Sequence, residues 1–262
     1  MGVITLENDN MKMRCFRFGT PEGQPFVILP GVALKSVIDL SAAIEAQYSV
    51  LAETYDVYVI DRRTDLPVSY SIAEMAEDTA AAMDMLAVEN AVVYGVSQGG
   101  MIAQEIALRR PELVRKLILC STASYIPEKA GSILSKWAEL AEKYDIPGLM
   151  QAFAENVYSV GYCEKYRDAF TEYGRNVTDE ELERFAVTVR GCGGFDVRDR
   201  LGGISSPVLV IGAGKDRIFG AGPSGETAQL TGGELLIYSD DAHSVYDENP
   251  DVTARIKEFA DR

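Results

Sequence analysis

One histidine in a chain of 262 residues narrows the chemistry before any fold is considered. His243, in Asp240-Asp241-Ala242-His243-Ser244, is the only side chain that titrates near neutrality unperturbed. A mechanism that passes protons between two imidazoles is excluded, and so is a metal site with two or more histidine ligands. Cys15, Cys120, Cys163 and Cys192 are scattered, with no C-x-x-C pair, so zinc ligation and dithiol redox chemistry are not expected. A lone imidazole can do general base and acid work on behalf of a nucleophile; the commoner role of a lone histidine is structural or at the surface, and location must decide between them.

The nucleophile candidate is Ser97. Gly95-Val96-Ser97-Gln98-Gly99-Gly100 fits G-x-S-x-G and lies between the apolar run 91–96 and a helical run starting near Gly99. A nucleophile elbow needs that strand–turn–helix setting. Its serine sits at the apex of a strained turn, and the glycines two residues either side avoid Cβ clashes with neighbouring chain. The plain alternative is a glycine-rich turn with an N-cap serine. A serine hydroxyl attacks no carbonyl at neutral pH without a base, and His243 is the only imidazole available. A carboxylate must then fix the imidazole. Asp216, in Gly212-Ala-Gly-Lys-Asp216, is the candidate, with Asp240 and Asp241 as competitors whose closeness to His243 suits turn capping instead. The stretch Cys120-Ser121-Thr122-Ala123 offers no carboxylate.

These residues need a scaffold that gathers them, and the chain supplies its pattern. Short apolar runs at 26–29, 57–60, 91–96, 117–119, 208–211 and 235–238 alternate with amphipathic helical segments. One segment begins with the capping box Ser71-Ile-Ala-Glu74 and carries Ile72, Met75, Thr79, Met83 and Leu86 on one face. Another spans 36–51, and a last one follows Asn249-Pro250, read as N-cap and first-turn proline. The alternation predicts an α/β fold with a mostly parallel sheet covered by helices on both faces. In such a sheet the carboxyl ends of the strands share one edge. Ser97, Asp216 and His243 each follow a strand and so meet there. Residues 124–204 break the rhythm with helical segments alone. They read as a helical insertion in a core made of 1–123 and 205–262.

The order Ser, Asp, His on this pattern resembles the α/β-hydrolase fold. The likeness rests on Gly95-Val-Ser-Gln-Gly-Gly100, Arg110-Pro-Glu-Leu-Val-Arg-Lys-Leu117, Pro207-Val-Leu-Val-Ile-Gly212 with Asp216, and His243. Asp196-Val-Arg-Asp-Arg-Leu201 is similar to the cap-to-core return in the branch of enol-lactone hydrolases, haloperoxidase-like esterases and carbon–carbon bond hydrolases. The resemblance implies an oxyanion hole from the amides of Gln98 and Val32, the latter in the loop Leu29-Pro30-Gly31-Val32. Pro30 replaces a histidine usual in relatives. Asp61-Arg62-Arg63-Thr64-Asp65 replaces a D-x-R-G-x-G loop; it is expected to be a solvated turn with an Asp–Arg pair, the functional alternative being charged groups near the site. The insertion is expected to be a helical cap over the nucleophile. Its aromatics Trp137, Phe153, Tyr158, Tyr162, Phe170 and Phe185 are expected to be mostly cap core, with Trp137, Gly31 and Met101 at the substrate.

The implied activity is hydrolysis of a small-molecule ester or lactone through an acyl-enzyme, without metal or cofactor. A carbon–carbon bond hydrolase using the same triad, and a ligand-binding relative without turnover, are the alternatives. Serine at the elbow opposes haloalkane or epoxide chemistry, which uses aspartate there. A formal charge of −15 repels phosphate backbones and anionic lipid, so a small molecule is the expected partner, and nucleic acid and membranes are not. No apolar stretch reaches the ~18–20 residues of a span and no signal-peptide h-region opens the chain. Unpaired thiols complete the expectation of a cytoplasmic protein. Nothing in the pattern encodes an oligomeric state.

Overall fold

A computed structural model describes residues 2–262 of the chain. Eight strands form one sheet: β1 (Gly2–Glu7), β2 (Lys12–Gly19), β3 (Gln24–Leu29), β4 (Tyr55–Ile60), β5 (Ala91–Val96), β6 (Val114–Cys120), β7 (Val208–Ala213) and β8 (Glu234–Tyr238). Their order is β1-β2-β4-β3-β5-β6-β7-β8. From β4 to β8 every pairing is parallel, whereas β1–β2 and β2–β4 are antiparallel. Every residue of β4, β5 and β7 is buried, as expected of strands covered on both faces, and the one carboxylate among them, Asp56 of β4, is paired with Arg17. Two apolar clusters, one on each face of the sheet, make the core.

The antiparallel strands β1 and β2 lie outside the apolar runs: charged residues interrupt β2, and Thr5 divides the short apolar stretch of β1. The period of two expected of a half-covered strand holds in β1, where Val3, Thr5 and Glu7 are exposed and Leu6 is buried; β2 is covered on both faces, with Met13 and Cys15 in one apolar cluster and Phe16 and Phe18 in the other. The 36–51 segment is also more broken than its pattern suggests. It comprises a 3-10 turn (Val37–Leu40) and two short helices (Ser41–Gln47, Ser49–Ala52). The capping boxes of Ser71 with Glu74 and Thr178 with Glu181 both form. The last helix starts at Asp251, one residue later than read, and Asn249 Oδ1 accepts its first amide. Lys116 on β6 donates from Nζ to the carbonyls of Phe259 and Ala260 near the end of this helix, where unpaired carbonyls favour a cation.

Between β6 and β7 the chain runs through helices Glu128–Glu142, Ile146–Val157, Val160–Lys165, Arg167–Arg175 and Asp179–Arg190. It leaves and re-enters the sheet region through a narrow neck. Tyr125 and Asp196 form an antiparallel bridge there, flanked by Ile126 N–H to Phe195 O and Val197 N–H to Ser124 O. Among the described residues no helix is long and apolar enough to cross a membrane.

Candidate active site

Ser97 closes β5 and opens the helix Gln98–Arg109 with φ 50° and ψ −118°, a backbone state that costs a side-chain-bearing residue about 1–3 kcal/mol. The surroundings hold it there. Its N–H donates to Cys120 O at 2.9 Å, and Thr122 Oγ1 donates to its carbonyl at 2.7 Å. The amides of Gly100 and Met101 donate to the same carbonyl. The motif glycines are packing requirements. A Cβ on Gly95 would lie 2.5 Å from Gly99 O, one on Gly99 would overlap Leu29 O, and one on Gly100 would lie 2.6 Å from Thr122 Cγ2.

Asp216 follows β7 and His243 follows β8, as the shared-edge argument requires. Asp216 Oδ2 accepts from His243 Nδ1 at 2.8 Å, and both side chains are buried. Its other oxygen accepts the amides of Ile218 and Phe219 at 2.7 and 3.0 Å. Burial alone would raise the carboxyl pKa. The charge and hydrogen bond of His243 with the two amides outweigh it and hold Asp216 below the usual carboxylate range. The ring of Phe219 packs 5.6 Å from the imidazole, centroid to centroid. Asp240 is exposed and paired with Lys215, and Asp241 accepts from Asn249 Nδ2, so neither competes for the imidazole. Ser97 shares the edge with this pair and is half-buried. Among the described residues its hydroxyl forms no hydrogen bond to His243, whose bonded partner is Asp216.

The loop after β3 presses against the elbow. A Cβ on Gly31 would sit 3.3 Å from Ser97 Cβ and 3.9 Å from its Oγ, so the glycine leaves room directly beside the hydroxyl. Among the described residues the amides of Val32 and Gln98 donate to no protein acceptor. The helix that Gln98 opens adds its positive end there. Burial pushes the thiols of Cys15 and Cys120 up to about 12 and that of Cys192 to about 11. Among the described residues no cluster of three or more His, Cys, Asp or Glu side chains is placed to hold a metal.

The segment after β4 is the expected solvated turn only in its second half, where Thr64 and Asp65 are exposed and Arg63 pairs with Asp65 at 2.8 Å; its first half is not. Asp61 and Arg62 are each only 5% exposed. Arg62 donates from Nε to Gln98 Oε1 at 3.2 Å and from Nη2 to Pro30 O at 2.7 Å. Asp61 accepts from Ser36 Oγ and from Arg184 of the helix Asp179–Arg190. The reason is topological: β4 is wholly buried, so the residues at its carboxyl end emerge beneath the inserted helices. Charge at a strand end of this edge was the available signal, and the usual solvation of charged loops masked it. Thr122, which clamps the elbow, was likewise passed over because only a carboxylate was sought in that stretch.

A cavity of about 310 Å³ lies beside Val32, between the β3 loop and the inserted helices. Phe153, Tyr158, Tyr162 and Phe170 line it, and no charged side chain does. Four of the six aromatics expected to be mostly core therefore face a cavity. Trp137, expected at the substrate, is 1% exposed and packs against Phe153 with ring centroids 4.8 Å apart, behind the lining. Its helix turns the indole into the interior of the insertion, with Phe185 equally buried. Met101 is also core, because the fourth residue of the helix Gln98–Arg109 points into the apolar cluster on one face of the sheet.

Comparison with known proteins accords with this architecture. The α/β-hydrolase fold family matches residues 24–250. A protein named as a candidate carbamate hydrolase, RutD, in Rhizobium rhizogenes is 29% identical over 216 residues, covering 76% of this chain and 79% of its own. The 3-oxoadipate enol-lactonase 2 of Acinetobacter baylyi is 26% identical over 179 residues, 66% of each chain. The crystal structure of the enol-lactonase from Burkholderia xenovorans superposes with a TM-score of 0.87 at 19% identity, over 99% of this chain and 100% of that one. With a family match over most of its length and a sheet, elbow and strand-end residues arranged as described, the chain belongs to the α/β-hydrolase fold family.

Proposed function

We propose that the protein is a serine hydrolase of carboxylic esters or lactones, with Ser97 as nucleophile, His243 as general base and acid, and Asp216 as the orienting carboxylate. The observation that carries this reading is the buried Asp216–His243 pair at the same sheet edge as the strained Ser97 turn. With its proton on Nδ1 and held by Asp216, a neutral imidazole presents the Nε2 lone pair.

In the first step the Ser97 Oγ–H proton passes to Nε2 while Oγ bonds to the substrate carbonyl carbon. The resulting oxyanion takes the amides of Val32 and Gln98, which have no protein acceptor of their own. His243 then gives its proton to the leaving oxygen, the carbon–oxygen bond breaks and the acyl group remains on Ser97. Water, deprotonated by the same imidazole, repeats the attack and releases the acid, and the proton returns to Oγ. In a lactone the leaving oxygen stays tethered to the acyl group, and the steps are unchanged.

The inserted helices act as a cap in this reading. The uncharged lining beside Val32 favours a neutral apolar or aromatic substituent, since a substrate carboxylate would be desolvated there without a cation. The names carried by two relatives, a carbamate hydrolase and an enol-lactonase, support acyl transfer to water as the reaction class. A fluorophosphonate probe and a panel of aryl esters, alkyl esters and small lactones test the assignment. Stoichiometric labelling of Ser97, lost in His243→Ala, is expected together with turnover of at least one panel member. Full ester hydrolysis by Ser97→Ala, or folded wild type that neither labels nor turns over, overturns it. The second result leaves a ligand-binding role.

A further inference from the structure

We propose that Arg62 is a positioning residue for the oxyanion hole, one guanidinium that fixes both loops supplying its donors and ties them to the helix Asp179–Arg190. The inference rests on the serine-hydrolase reading above.

The geometry begins with the fork. Nε–H and one Nη2–H leave the same edge of a planar guanidinium, so two acceptors can be held side by side at fixed spacing. Arg62 spends this edge on Gln98 Oε1 and Pro30 O. Pro30 lies two residues before Val32, and Gln98 is itself the second proposed donor. The two amides come from different strands, and Arg62 binds to the loops of both at once. The relay continues from Gln98, whose Nε2 donates to Thr188 O at 2.6 Å and to Cys192 Sγ at 3.3 Å. Arg184, on the same inserted helix as Thr188, donates to Asp61 Oδ1 and to the carbonyl of Arg62. Seating this helix and aligning the two amides are thus parts of one buried hydrogen-bond network.

Charge adds to position. The Arg184 guanidinium pairs with Asp61, which Arg62 meets only through its backbone N–H, and Arg62 Nη1 is buried without any partner. The excess positive charge stands behind the place where negative charge would develop, in surroundings with little water to screen it. Burial lowers the affinity of Arg62 for its proton, and Asp61 opposes that. An apolar side chain would fill the space without an orphaned donor, so stability alone does not explain an arginine here.

The test compares Arg62→Met and Arg62→Lys with wild type on an aryl ester that the wild type hydrolyses, p-nitrophenyl butyrate first. An alkyl trifluoromethyl ketone, whose adduct with serine carries the oxyanion, reports on the hole directly. Arg62→Met is expected to lower kcat by roughly tenfold or more, short of the ~10²–10³ for removing a direct donor. KM should stay within about twofold, and ketone affinity should fall by the same factor as kcat/KM. Arg62→Lys keeps the charge but cannot fork, so it should restore part of the loss. If Arg62→Met does not fold, Arg62→Lys must still show proportional losses in kcat/KM and ketone affinity. Wild-type kcat in a folded Arg62→Met, or a kcat loss with unchanged ketone affinity in either variant, overturns the proposal. Active, labelled wild type beside an equally active Arg62→Met refutes only Arg62. Wild type that neither labels nor turns over removes the serine-hydrolase reading and this inference together.

Discussion

The carboxyl edge of the sheet and the inserted helices face each other across the cavity but are built on different terms. At the edge, close backbone contacts dictate residue identity. Gly95, Gly99 and Gly100 have no room for a Cβ, Ser97 is held in a left-handed turn, and Asp216 has hydrogen-bond partners on both oxygens. In the insertion, contacts are between side chains. Tyr158, Tyr162 and Phe170 meet at ring separations of 4.9–6.3 Å, Phe153 lies against Trp137, and two glycines of the insertion, Gly131 and Gly161, have space for a methyl group. A site whose reacting groups must hold position to a fraction of an ångström belongs on the first kind of structure. A surface that selects among apolar substituents can be remodelled on the second. The Arg62 network is where the two kinds touch.

Removing the proposed machinery should produce the largest effect. Ser97→Ala and His243→Ala should each lower kcat by about 10⁴-fold or more while leaving the unfolding midpoint nearly unchanged. No second histidine exists to substitute, so retention of more than about one per cent of activity by His243→Ala would break the assignment of reaction chemistry to the edge.

Next comes backbone crowding. Gly99→Ala drives a methyl group into the carbonyls of Leu29 and Pro30, which belong to β3 and the loop that follows it and cannot move independently. A stability loss of about 3 kcal/mol is expected in urea titration, at the upper end for overpacking. Hydrolysis should fall further than stability explains, because the displaced loop carries Val32. A Gly99→Ala protein of wild-type stability and activity would show the edge to be far softer than its contacts imply.

The same contrast sets what was legible in the amino-acid sequence. Ser97, Asp216 and His243 could be placed together because strand ends in a parallel sheet share an edge, a rule needing only the order of elements. The glycines of the elbow were readable for the same reason, since backbone crowding constrains residue type. Arg62 was hidden because burial of a charged loop residue depends on what lies over it, and the overlying helix is more than a hundred residues away in sequence. In the short inserted helices, which aromatic faces inward turns on small helix rotations. Trp137 and Phe153 touch, yet one is core and the other lining. The strands β1 and β2 are obscured differently, β1 by an alternating exposure and β2 by the charges of Lys12, Arg14 and Arg17, neither of which forms a run of apolar residues.

On the cavity side a smaller, selective effect is expected. Tyr162 stacks on Tyr158 with rings 6° from parallel, and both line the cavity. Tyr162→Ala should lower kcat/KM for an ester with an aromatic substituent by roughly 5–30-fold, equivalent to about 1–2 kcal/mol of lost contact. An acetate ester of the same leaving group should change by less than about twofold. Equal losses on both esters would mean that the cavity is not where substituents are read, and that the insertion acts on the reacting groups instead.

The smallest effect carries the opposite sign, and it isolates the comparison because the chemical change is the same. Gly131 lies inside the helix Glu128–Glu142, where the nearest atom to an added Cβ is Ile126 Cγ2 at 3.6 Å, ordinary contact. Alanine at a helix interior is favoured over glycine by about 0.5–1 kcal/mol, since it restricts the unfolded chain and leaves the folded one undisturbed. Gly131→Ala should therefore raise the unfolding temperature by about 1–4 °C and leave kcat unchanged. If it destabilises instead, the inserted helices are packed as tightly as the elbow. The division between a rigid reacting edge and an adaptable selective layer would then fail. If it stabilises while Gly99→Ala disrupts, one methyl group has distinguished the two regions by sign.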